Sequence, residues 1–116
     1  MVILVINETS ALRKIVRKFC ESKGYDVVEA SHSVDAYSKA IEYKPQIVVM
    51  DNIIDSVPYI GICKNIQLLP GMDTVEFLIF SDFENEIIDT SGLKLKGIIT
   101  KPHIIPELGN YFPTLK

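Results

Sequence analysis

Five side chains stand out for where they fall: Asn7 and Glu8, Asp51, Ser81 and Lys101 each follow a short apolar run. The runs are Val2–Ile6, 46–50, 75–80 and 97–100. Two carboxylates brought together make a hard oxygen site suited to Mg²⁺, which takes a few carboxylates plus water and phosphate oxygens. An ammonium and a hydroxyl beside them can hold the oxygens of a phosphoryl group and spread its charge during transfer. Taken singly, each residue has an ordinary explanation. Strand ends are exposed, Asp51 can cap a loop, Lys101 can be a solvated charge, and Ser81 with Glu84 fits a helix capping box. Jointly they are harder to dismiss. In an open α/β sheet, ligands collect beyond the carboxyl ends of the strands, at the topological switch point.

The elements that position these residues are legible from pattern. Apolar runs alternate with helix-period segments, which predicts an α/β fold with a parallel sheet. Runs that lack polar alternation predict strands buried on both faces. Thr9 or Ser10 can cap a first helix, with Leu12, Ile15, Val16, Phe19 and Cys20 facing inward and Gly24 ending it. Asp26–Ala30 reads as a short strand near an edge. Ser33 opens a second helix with Val34, Tyr37, Ala40 and Ile41 on one face, the apolar stripe expected to pack on the sheet. Ser56 and Pro58 fit the cap and first turn of a third, carried on by Ile62, Cys63 and Ile66. Residues 83–89 allow about two helical turns. Gly109 and Pro113 restrict the last helix to a short or irregular one.

The length of 116 residues suits one domain spanning 1–116. A hydrophobic fraction of 47% agrees with a sheet covered on both sides. No apolar run approaches the ~20 residues that cross a bilayer. Met1 leads into Val2–Ile6 without a basic segment, so the sequence predicts no signal peptide, no membrane association and a cytoplasmic location. A net charge of -3 with mixed signs predicts no direct nucleic-acid binding. Cys20 and Cys63 fit reduced core thiols, and His32 and His103 isolated surface residues. No nucleophile–base pair is visible, so an enzyme with an external turnover substrate is not expected. FMN binding would call for a glycine-bearing phosphate loop after the first strand, and Asn7-Glu8-Thr9-Ser10 has no glycine.

Almost the whole chain resembles a response-regulator receiver domain of two-component signalling. Ile3-Leu4-Val5-Ile6-Asn7-Glu8-Thr9 resembles the opening strand and acidic pair, and Val48-Val49-Met50-Asp51 the phosphoacceptor strand. Leu78-Ile79-Phe80-Ser81 resembles the hydroxyl strand, and Ile98-Ile99-Thr100-Lys101-Pro102 the lysine-proline strand. The resemblance implies a three-layer, doubly wound, five-stranded parallel sheet of order 2-1-3-4-5, the flavodoxin-like receiver fold. It implies that Asp51 is a phosphoprotein's acceptor, taking a phosphoryl group from a sensor histidine kinase or histidine phosphotransfer protein. Ser81 and Lys101 would hold the phosphoryl oxygens. Mg²⁺ would be bound by Glu8, Asp51 and the backbone carbonyl of Ile53, with Asn7 acting through a water. Such a protein catalyses at most its own phosphorylation and dephosphorylation, and signals through protein contacts to an output partner. The resemblance also implies a cis Lys101–Pro102 bond.

The departures from that pattern are specific. Asn7 removes a negative charge, and Glu8 is a methylene longer than the usual Asp, so the Mg²⁺ site is expected to be weakened. Asp55 stands where a proline is usual, and Pro58-Tyr59 replaces an acidic-glycine pair. Asp82 replaces a small residue beside Ser81, where its charge would oppose an incoming donor. Ile98 takes the position of the switch aromatic. A degenerate receiver working as a phosphorylation-independent interaction module is therefore the alternative expectation.

Overall fold

The computed structural model describes residues 1–82 and 90–115. The chain runs β1 (Val2–Ile6), α1 (Ser10–Ser22), β2 (Asp26–Ala30), α2 (Ser33–Tyr43) and β3 (Ile47–Asp51). A small hairpin follows, β4 (Ile53–Ile54) and β5 (Val57–Pro58), and then α3 (Tyr59–Gln67). After β6 (Glu76–Ser81) and β7 (Leu95–Thr100), a 3₁₀ turn over Lys101–His103 leads into α4 (Ile104–Leu108). The main sheet has five parallel strands in the order β2-β1-β3-β6-β7. Numbered along that sheet alone, this is the expected 2-1-3-4-5. The helix expected over 83–89 lies outside the described residues.

Unbroken apolar strands make sense because both faces are covered. Leu4, Ile6, Val48, Met50, Phe77 and Ile79 point to one side, where Ala36, Ala40, Tyr59, Ile62, Cys63 and Ile66 complete a core. Ile3, Val5, Val49, Leu78, Phe80 and Ile99 point to the other, against Val16, Cys20, Ile104, Leu108 and Phe112. Successive strand residues thus serve opposite cores, which removes the polar alternation of a one-sided sheet. Both cysteines are free and buried, and burial pushes the Cys20 thiol up to about 12 and Cys63 higher still. They are protonated core thiols.

The helix faces need correction. Val34 is 79% and Ile41 54% exposed, while Ala40 turns inward as expected and Ala36 joins it. The small residues let α2 lie close to the sheet, so the stripe is rotated from the one the larger apolar residues suggested. Ile15 on α1 is also exposed. Ser56 and Pro58 do not start α3 as cap and first turn. Asp55 and Ser56 both adopt positive φ, 54° and 62°, and make the two-residue turn of the β4–β5 hairpin. Pro58 is the N-cap of α3. The last strand begins at Leu95 rather than Gly97, because an irregularity opposite Phe77/Leu78 carries it past Lys96. No cis peptide bond occurs among the described residues, so the expected cis Lys101–Pro102 geometry is not found. Among the described residues no helix is long and apolar enough to cross a membrane.

Candidate functional site

Strand register brings the chosen residues to one edge. Ile6 pairs with Met50, which puts Asn7 level with Asp51 at the carboxyl ends of β1 and β3. Asp51 pairs with Phe80, so Ser81 lies one residue further out; Ser81 pairs with Thr100, and Lys101 follows directly. Lys101 Nζ is 2.6 Å from Asp51 Oδ1 and 3.1 Å from Asp82 Oδ1. Burial pulls the Lys101 ammonium down, but its bonds to Asp51 and Asp82 outweigh that and hold it above its ordinary range. Ser81 is fully buried beside them. The expected acceptor and lysine are therefore joined by an ion pair, with Asp82 as a second claimant on the same ammonium.

Sequence reading passed over Asn52. It is 3% exposed, and its Oδ1 is buried without a hydrogen-bond partner among the described residues. Its Nδ2 lies 3.5 Å from Asp82 Oδ2, and its backbone N–H donates to Asp51 Oδ1 at 3.0 Å. A polar residue straight after the acid that ends a buried strand was the available signal.

Glu8 and Asn7 diverge. Asn7 is 3% exposed, and its Oδ1 accepts a hydrogen bond from Thr9 N–H at 2.8 Å, which fixes the turn into α1. Glu8 Oε1 instead accepts from the Asp55 backbone N–H at 2.8 Å. Asp55 in turn reaches α2: its carboxylate accepts from Ser33 N–H at 3.0 Å and from the Ser33 hydroxyl, and pairs with His32 Nδ1 at 2.8 Å. It thereby supplies the N-terminal cap that α2's own N-cap residue, His32, does not provide. The bonds from Ser33 come first among those that lower Asp55 below the usual carboxylate range. His32 is exposed as expected, but it is not isolated.

A further support lies behind Asn7. Arg13 Nη1 donates to the Asn7 carbonyl at 2.6 Å, and its Nε to Glu29 Oε1 at 3.1 Å. Arg17 takes the other Glu29 oxygen at 2.5 Å. Burial raises Glu29, yet the two guanidiniums overcome it and leave the carboxyl below its ordinary value. Ile53, whose backbone carbonyl is the remaining expected ligand, sits at the base of the hairpin next to Asn52. The donor types suit Mg²⁺, since the Asp51 and Glu8 carboxylates and the Asn52 Oδ1, which has no partner among the described residues, are hard oxygens. Among the described residues, however, the ligating atoms that lie within 4.8 Å of one another are those of Glu8, His32 and Asp55, not Asp51.

With this geometry in hand, comparison with known proteins is decisive. The family model for the response regulator receiver domain matches residues 3–111. The chain belongs to that family. This receiver domain is 28% identical over 100 residues to the alkaline phosphatase synthesis transcriptional regulatory protein PhoP of Bacillus subtilis, covering 86% of the chain. It spans only 42% of that relative and 44% of a probable transcriptional regulator ycf27 from Porphyridium aerugineum. Against the chemotaxis protein CheY of Bacillus subtilis it is 24% identical and covers 84% of that protein and 86% of itself. Among solved structures, a CheY-like receiver domain from Methylobacillus flagellatus superposes with a TM-score of 0.82 at 18% identity, over 95% of this chain and 93% of that one. The response regulator domain of Thermotoga maritima CheB gives 0.76 at 25% identity, over 95% and 91%.

Proposed function

We propose that residues 1–116 act as one cytoplasmic receiver domain in which Asp51 accepts a phosphoryl group from a phosphohistidine on a sensor histidine kinase or phosphotransfer protein. The observation that carries this reading is the 2.6 Å ion pair between Lys101 and Asp51 at the strand ends, one residue from buried Ser81. In the transfer, an Asp51 oxygen bonds to phosphorus as the P–N bond breaks, and the imidazole leaves with that electron pair. Lys101 moves its contact from the carboxylate to a phosphoryl oxygen, and Ser81 serves another. Mg²⁺ would be held by Asp51, Glu8 and the Ile53 carbonyl, with Asn7 behind a water, and when bound it neutralises charge on the phosphoryl oxygens. Lys101 and Asn52 act on the chain's side of that balance. They set the Asp51 carboxylate by bonds from the ammonium and from the Asn52 N–H.

A second reading, a phosphorylation-independent interaction module, draws support from one contact. Glu8 Oε1 accepts the Asp55 N–H, which draws the carboxylate toward the hairpin and leaves only its second oxygen uncommitted for a metal. Intact mass after treatment with a small phosphodonor, with and without Mg²⁺, separates the two. The acceptor reading expects one base-labile phosphate that needs the metal and disappears in Asp51→Asn. Uptake by Asp51→Asn at the parent rate would defeat it, and no uptake under any condition would favour the interaction module.

A further inference from the structure

This inference rests on Asp51 being the acceptor. Two carboxylates already claim the single Lys101 ammonium, Asp51 at 2.6 Å and Asp82 at 3.1 Å. The other Asp82 oxygen lies 3.5 Å from Asn52 Nδ2, at the outer limit of a hydrogen bond. Asn52 is buried, so this second contact comes from a side chain fixed in place rather than one swinging in solvent. An ammonium can donate three hydrogen bonds, so geometry alone leaves room for a phosphoryl oxygen. Charge does not. At this ammonium, one cation set against two carboxylates has no net charge left to attract an incoming dianion, whatever a bound metal supplies elsewhere.

We propose that Asp82 is a specificity-determining residue that selects against small, doubly charged phosphodonors, by holding its carboxylate on the ammonium that the phosphoryl oxygens require. A free donor must approach the ammonium against the Asp82 charge, with nothing to offer Asp82 in exchange. A protein donor can supply a basic side chain to take Asp82 while its phosphohistidine meets Asp51. Asp82 is about half-exposed, so water and salt screen the effect, and the expected scale is about tenfold rather than thousands.

The test compares initial rates of Asp51 phosphorylation by acetyl phosphate and by phosphoramidate in the parent, Asp82→Asn and Asp82→Ala. With acetyl phosphate, an Asp51 oxygen bonds to phosphorus while the P–O bond to the acetyl group breaks, and acetate leaves with the electron pair. With phosphoramidate the P–N bond breaks and ammonia leaves. Acetyl phosphate is the more highly charged donor. Asp82→Asn keeps the shape of the side chain and removes only its charge. The expected result is a gain of about tenfold with acetyl phosphate, a smaller gain with phosphoramidate, and the same pattern in Asp82→Ala. A gain in Asp82→Ala alone would mean steric obstruction and overturn the proposal, as would equal gains with both donors. Equal, Asp51-dependent rates in parent and Asp82→Asn would overturn it while leaving Asp51 as acceptor. No uptake by any of the three proteins would overturn both this proposal and the reading of Asp51 as acceptor.

Discussion

In the proposed metal site, Asn7 offers a neutral amide where an acid would add charge. Its Oδ1 already accepts the Thr9 N–H, so an aspartate there would keep that bond and place its second oxygen where the amide NH₂ now stands. Asn7→Asp should therefore tighten Mg²⁺ binding by about tenfold, the lower end of what outer-sphere carboxylates contribute. Without metal the same change buries an added charge at a residue 3% exposed, so the variant should melt earlier in chelator than the parent. Calorimetric titration and melting curves with and without Mg²⁺ check both halves. Unchanged metal affinity would remove Asn7 from the metal's surroundings. Lys101 behaves differently, because its partners are in place before any ligand arrives, and its ammonium stays charged throughout the physiological range.

At the scale of elements, the β4–β5 hairpin is the least expected feature and the one with most consequences. Two non-glycine residues at positive φ form its turn, and Asp55 uses that position to cap α2 from a distance. Asp55→Ala should fray the first turn of α2 and loosen the hairpin together. Hydrogen exchange should show faster loss at Ser33 and Ala36 than in the parent, with the sheet unaffected. Protection lost evenly across the chain would argue for global destabilisation instead. On β7, a Cβ at Gly97 would come within 2.4 Å of the Tyr111 ring, so any larger residue there must push that ring aside. Gly97→Ala should cost about 1–3 kcal/mol in urea unfolding, and less in a Tyr111→Ala background where the ring is gone. Ile98 next to it is partly buried against the α2/α3 side of the core and carries no ring. Signalling through an aromatic rotamer at that position is therefore not available to this chain.

At the scale of the whole molecule, two paired carboxylates tie distant segments together and make stability fall in acid. Glu29 binds α1 to β2 through Arg13 and Arg17, and Asp55 binds the hairpin to α2. Both carboxyls lie below their ordinary values of 4.5 and 3.8 in the folded chain. Their contribution is thus complete above those values and is lost as pH falls through the lower folded ones. Melting temperature should drop below about pH 4.5, and the drop should be shallower in Glu29→Gln and Asp55→Ala. Parallel curves would show that other groups control acid unfolding. The sequence by itself determined the alternation of strands and helices and the strand ends that carry Asp51, Ser81 and Lys101, because apolar runs and polar strand ends are local signals. The strand order was legible only through the resemblance to receiver domains, which also marked Asn7, Glu8 and Asp82 as departures. Only the tertiary structure decided how those departures are used. Nothing within 53–58 announces that Asp55 will cap a helix that begins at Ser33, or that its N–H will take Glu8, since both bonds join segments far apart in the chain. The inner face of α2 was misread for a related reason. Ala36 carries little apolar weight in a periodic pattern, yet it packs inward beside the expected Ala40 while the larger Val34 and Ile41 face outward.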